Sequence, residues 1–239
     1  GFSKTEGSDS VADTAEIMLN NGDGTFSLTR SDNGARRAGE SDVPGGAAFV
    51  DANRDGNIDL WLGQGAAGST VLQDRLLLGN GEGYFEDATE SLGLTTEPWR
   101  DVQDLNQGLA HTNSWGAVAC DLNGDGTPEL LSSSYGRAPN HLWQGAAPGG
   151  ELSFSNRSVD SGYAYDDRMD WSDNESARCY CKLNPDAADC DGVPEPELIQ
   201  CESSDDVLRW RHDSDREPFR LGGNSGTTVC EDINGDGHM

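Results

Sequence analysis

Three short stretches of this chain set acidic and amide side chains at alternate positions around a glycine. The first offers Asp51, Asn53, Asp55 and Asp59, with Gly56 at its sixth position and Asn57 at its seventh. The second repeats the spacing with Asp121, Asn123, Asp125, Gly126, Thr127 and Glu129, and the third carries Asp232, Asn234, Asp236 and Gly237. Alternating residues in a tight loop aim their oxygens inward, and glycine permits the sharp turn. A hard cation such as Ca²⁺ takes six to eight oxygens at about 2.3–2.6 Å. The backbone carbonyls of Asn57 and Thr127 complete the sets. Glu129 stands where the first loop has Asp59 and is one methylene longer.

A single loop of this kind is also what a solvated acidic turn looks like. Three copies, each behind an apolar stretch, favour metal ligation. The helix–loop–helix calcium motif is excluded, because it needs an acidic ligand at position twelve and flanking helices. Here that position is Leu62 or Ser132, and Leu60-Trp61-Leu62 and Leu130-Leu131 read as strands.

These loops need paired strands to hold their ends, and the sequence supplies them in two repeating units. Unit one is strand, acidic loop, strand, at 45–62 and 115–131, with a third copy beginning at Gly226. Unit two is a hairpin around Asn-Gly-Asp/Glu-Gly, at 17–28 and 76–87, with a looser copy at 140–155. Its glycines and asparagine tolerate the positive φ of tight turns. One unit of each gives four strands over roughly 45 residues, the length of a propeller blade. The expected fold is all-β: blades of four antiparallel strands at 46–90 and 114–160, a half blade at 14–30, and the first strand of a further blade at 226–239. Two full blades cannot close a ring, so the expectation is a partial, open propeller that continues into further blades of the same parent chain.

The alternation of Asp-x-Asn-x-Asp-Gly-x-x-Asp loops with Leu-x-Asn-Gly-Asp/Glu-Gly-x-Phe hairpins resembles FG-GAP/VCBS repeats, as in integrin α-subunit propellers and cartilage-acidic-protein-like secreted proteins. The resemblance covers 14–160 and 226–239. It implies a propeller with Ca²⁺ in the loop joining the first two strands of each blade.

Composition agrees. With 43 acidic against 16 basic residues the net charge is −27, which repels nucleic acid and anionic membranes. No apolar run is long enough to cross a bilayer. Bound cations relieve part of the self-repulsion. No signal peptide is visible, and the chain opens at Gly1 in a polar stretch. Six cysteines, an even count, point to an oxidising, extracellular compartment.

Residues 161–225 fall outside the repeat and read as an irregular insert with four cysteines, Cys179, Cys181, Cys190 and Cys201. The spacing is not a familiar zinc pattern, so disulfides are preferred. Cys179 and Cys181 are too close to bridge, so each pairs with Cys190 or Cys201; both connectivities remain open. Cys120 lies one residue before its loop's first aspartate and Cys230 two before. On alternating strands they face opposite sides, which disfavours a bridge between them and leaves buried free thiols as the alternative.

The insert also offers Trp171, Arg209, Trp210, Arg211, His212 and Arg216, a set that could hold an anion or a sugar or pack as a solvated loop. His111 and His141 lie near blade connections, and Asn156 and Asn174 head glycosylation sequons. No nucleophile elbow, zincin or phosphate-loop motif occurs. The expected function is an extracellular module that binds a protein or glycan ligand on metal-rigidified loops. The alternative is the propeller part of a secreted polysaccharide lyase or hydrolase using histidine, tyrosine and arginine from the insert.

Overall fold

The computed structural model describes residues 4–6, 9–11, 16–30, 32–36, 42–67, 70–98, 104, 106–135, 138–147, 150–166, 169–201, 210–216, 225–237 and 239. Strands dominate. Two short pairs open the chain, β1 (Lys4–Glu6) with β2 (Asp9–Val11) and β3 (Met18–Asn20) with β4 (Phe26–Leu28). The first four-stranded sheet comprises β5 (Pro44–Val50), β6 (Asp59–Gln64), β9 (Arg75–Gly79) and β10 (Phe85–Asp87), in spatial order β5-β6-β9-β10. A two-residue ladder, β7 (Ala66–Ala67) with β8 (Thr70–Val71), lies between β6 and β9. The second sheet comprises β11 (Ser114–Cys120), β12 (Glu129–Ser134), β13 (His141–Ala146) and β14 (Ser153–Asn156), in chain order. Every pairing in both sheets is antiparallel. Among the described residues no sheet closes on itself.

The sheets match in detail. Val50 pairs with Asp59 and Cys120 with Glu129, so each acidic loop is clasped between the first two strands of its sheet. Each first strand slips register at the same place, between Pro44 and Gly46 and between Ser114 and Gly116. In the β3–β4 and β9–β10 hairpins the Asn20 and Asn80 side chains accept from the amides of Gly22 (2.8 Å) and Glu82 (2.9 Å), closing two-residue side-chain turns.

All residues of β6 and β12 are buried. This departs from one-sided alternation because both faces of each strand are covered. Leu60, Leu62 and Leu77 pack with Ala35, Ile17 and Phe85 on one face of the first sheet. Trp61 and Leu76 pack with Leu130, Trp143 and Phe154 of the second sheet on the other. Trp61 Nε1 donates to the Leu131 carbonyl at 3.0 Å across this seam. β5 and β11 approach so closely that a Cβ on Gly46 would sit 2.4 Å from the Ala117 nitrogen. Only glycine fits there.

The third copy of unit one differs from expectation. Residues 225–231 form no regular strand, although they lie along the second sheet. The Ser225 amide donates to the Ser134 carbonyl at 3.0 Å, and the Thr227 Cα lies 3.1 Å from where a Cβ on Gly116 would be. The hydroxyls of Tyr163 and Thr228 are hydrogen-bonded.

Cys120 and Cys230 are joined in a disulfide, with Cα atoms 6.4 Å apart and 110 residues between them in sequence. The bridge, which strand alternation disfavours, is thus the outcome, and not the alternative of buried free thiols. Opposite faces follow from alternation only between two pleated strands, and without regular pleating Cys230 is free to turn toward β11.

The insert is less irregular than expected. A 3₁₀ turn (Trp171–Asp173) leads into a helix (Glu175–Leu183) whose N-cap Asn174 accepts from the amides of Ser176 (2.9 Å) and Ala177 (3.1 Å). Disulfides Cys179–Cys201 and Cys181–Cys190 span 22 and 9 residues. They select one of the two connectivities left open. No described helix is long and apolar enough to cross a membrane.

Candidate metal centres

The three acidic loops share one hydrogen-bond scaffold, set by backbone amides that point into the loop. In the first, Asp51 accepts from the amides of Asp55 (3.1 Å) and Gly56 (3.1 Å), and the Asn53 amide oxygen accepts from Asp55 N (3.0 Å). Asp55 accepts from the Asn57 amide at 2.7 Å and from the Asn53 side chain at 3.0 Å. The second loop repeats these bonds. Asp121 accepts from Asp125 N (3.1 Å) and Gly126 N (2.8 Å), Asn123 from Asp125 N (2.9 Å), and Asp125 from Thr127 N (2.7 Å). The third loop continues the pattern, with Asp232 accepting from Asp236 N (3.1 Å) and Gly237 N (2.7 Å) and Asn234 from Asp236 N (3.2 Å). In all three copies positions one and three therefore accept from the backbone amide of position five, and position one also accepts from that of the following glycine.

Position nine ties the first two loops down. Asp59 is fully buried and accepts from the amides of Ala52 and Gly79, each at 2.8 Å. Glu129 makes the same closure with Leu122 N at 2.7 Å, but its second oxygen meets the Asn123 side chain at 3.2 Å instead of the third strand. The extra methylene shifts this carboxylate toward the loop. A carboxylate oxygen that accepts one amide keeps a lone pair for a cation.

Electrostatics separates the positions. Burial raises the pKa of Asp59, and the charge of Asp55 adds to the rise. Burial likewise raises Glu129, helped by Asp125 and Asp121. Asp55, Asp125 and Asp232 are lowered, chiefly by the amides of Asn57, Thr127 and Gly237 respectively. Asp55 and Asp125 thus favour the ionised form while repelling the position-nine acid of their own loop, an arrangement a cation relieves.

No three carboxylates of these loops bring ligand oxygens within 4.8 Å of one another; among the described residues the group that meets this spacing is Cys181, Cys190 and His212. That group is not a metal site. Its sulfurs are bonded to each other, and only thiolates ligate. Trp210 Nε1 donates to His212 Nδ1 at 3.2 Å, so the proton sits on Nε2, which donates to the Ala188 carbonyl at 2.6 Å. The ring stacks on Tyr180 at 4.4 Å. His212 is a packing element with both nitrogens committed.

Of the other expected residues, Trp171 and Trp210 pack together beside His212, with ring centroids 6.0 Å apart. Arg209 lies outside the described residues. Arg216 pairs with Asp189 and donates to the His212 carbonyl at 2.8 Å. His141 is buried and its pKa is pushed down to about 4 by burial. His111 is also lowered by burial and meets the Thr96 hydroxyl at 2.5 Å. Both sequon asparagines are engaged, Asn156 with the Gly108 carbonyl at 2.9 Å and Asn174 at its helix cap.

One participant escaped the motif reading. Arg54, at position four of the first loop, donates through Nη2 to Thr127 Oγ1 (2.6 Å) and the Asp125 carbonyl (3.2 Å) of the second. The signal was in the repeat: the other loops carry Gly124 and Gly235 at that position.

The chain matches no known protein-family profile, and no curated protein matches it.

Proposed function

We propose that this chain is an extracellular calcium-binding repeat module of FG-GAP/VCBS type. Its four-stranded sheets are propeller blades, and its cation-stiffened loops present a surface for a protein or glycan ligand. One observation carries the reading: in three loops far apart in sequence the position-one aspartate accepts from the backbone amides of positions five and six, the same scaffold each time. Supporting it are the two matching four-stranded meanders and three disulfides, which persist in oxidising surroundings. The ligands are Asp51, Asn53, Asp55, Asp59 and the Asn57 carbonyl; Asp121, Asn123, Asp125, Glu129 and the Thr127 carbonyl; and Asp232, Asn234 and Asp236.

Thermal melts in excess calcium and in chelator test this. A cation that binds only the folded state at a hundredfold excess over Kd stabilises by about 2.7 kcal/mol per site. The midpoint rises by several degrees with calcium; an unchanged midpoint overturns the reading. The secreted polysaccharide-degrading enzyme is the weaker alternative, since His212 has no nitrogen free to act as a base.

A further inference from the structure

We propose that Arg54 couples the first loop to the second, so that a cation held by either raises the affinity of the other. The inference rests on the calcium reading of both loops. Arg54 has φ 60°, in the left-handed region where Gly124 and Gly235, its counterparts, have φ 74°. A long side chain is disfavoured in that conformation, and here it makes a specific reach. Its guanidinium crosses to a residue 73 positions away and meets Thr127 Oγ1 at 2.6 Å. Thr127 is buried, its amide holds Asp125 at 2.7 Å, and its carbonyl is the seventh-position ligand. The same guanidinium touches the Asp125 carbonyl at 3.2 Å. It therefore fixes two ligand residues of the second loop from outside, through a carbonyl and a hydroxyl, and leaves their carboxylate oxygens to the cation.

The other end of the link is equally placed. Arg54 lies between two ligands of the first loop, Asn53 and Asp55, and the Asp55 amide is shared by Asp51 and Asn53. A cation that draws these oxygens together fixes the backbone of residue 54 and so aims its guanidinium. Without it the carboxylates repel and the aim loosens. A filled second loop holds the same acceptors still for Arg54, and linkage makes the two effects equal.

Calorimetric calcium titration of the whole chain tests the link through a double-mutant comparison. Disabling the second loop with Asp125→Asn weakens calcium at the first by about fivefold, the lower end of ordinary coupling. In an Arg54→Gly background, which suits the left-handed backbone, Asp125→Asn costs the first loop nothing more. Thr127→Val, which removes the acceptor, reproduces the Arg54→Gly result. The same fivefold loss with and without Arg54, or no loss in the parent chain, overturns the coupling and leaves calcium binding intact. A parent chain that takes up no calcium overturns both.

Discussion

The carboxylate of Asp74, just before β9 in the first sheet, accepts a 2.6 Å hydrogen bond from the hydroxyl of Ser132 on β12 of the second. Asp74 also accepts from the Gln64 amide (2.7 Å) and the Ser114 hydroxyl (2.9 Å), so one buried acid joins both sheets. Burial raises its pKa to about 6. An acid raised on folding favours the neutral form. Its contribution is full below the unfolded value and is lost as pH climbs through about 6. Urea unfolding of the parent chain and Asp74→Asn between pH 4 and 7 should therefore differ in slope, with the variant losing less stability as pH rises. Parallel curves would show that Asp74 does not titrate in this window.

Positions five and nine of the first loop should separate cation binding from folding. Asp55 is exposed, and Asp55→Ala should abolish most of the calcium-dependent rise in the melting midpoint while changing metal-free stability by less than about 1 kcal/mol. Asp59 is buried and satisfies two amides. Asp59→Ala should cost at least about 2 kcal/mol even in chelator, because those amides lose their acceptor. Chemical denaturation with and without calcium distinguishes the two.

The seam between β5 and β11 depends on missing side chains. A Cβ on Gly46 would lie 2.4 Å from the Ala117 nitrogen and 2.6 Å from the Gly116 carbonyl carbon, backbone atoms that cannot swing aside. Gly46→Ala should destabilise by about 3 kcal/mol, the upper range for overpacking. A neutral result in denaturant titration would mean that the sheets slide apart freely.

The Cys120–Cys230 bridge anchors the third acidic loop to the second sheet. Replacing both cysteines with serine should cost between about 2 and 5 kcal/mol. It should also speed amide exchange in residues 225–230 relative to β12. Equal protection before and after would assign the anchoring to the Ser225–Ser134 and Tyr163–Thr228 contacts alone.

Both four-stranded sheets were legible in the sequence, because turn glycines and apolar runs recur in a fixed order, and the observed spans Pro44–Asp87 and Ser114–Asn156 fall within a few residues of expectation. The placement of the first two acidic loops between the first two strands of each sheet was legible for the same reason. Asp74 was not, since it belongs to no repeat and its serine partners come from strands 40 and 58 residues away. The helix Glu175–Leu183 was hidden because it is only nine residues long and buries Ala177, Cys179 and Cys181, which leaves no apolar helical stripe of large side chains to read. The Cys120–Cys230 bridge was not legible, because local pleating in residues 225–231 does not follow from similarity to β5 and β11.

The three disulfides are nested. The link between Cys181 and Cys190 lies inside that between Cys179 and Cys201, and both lie inside the span closed by Cys120 and Cys230. From 120 to 230 the chain is topologically a closed hoop with smaller hoops inscribed in it. A protease that nicks the outer hoop once releases nothing, since both products stay covalently attached. That hoop includes β12, β13 and β14 as well as the insert, so a single cut anywhere in it leaves residues 225–230 covalently tied to β11.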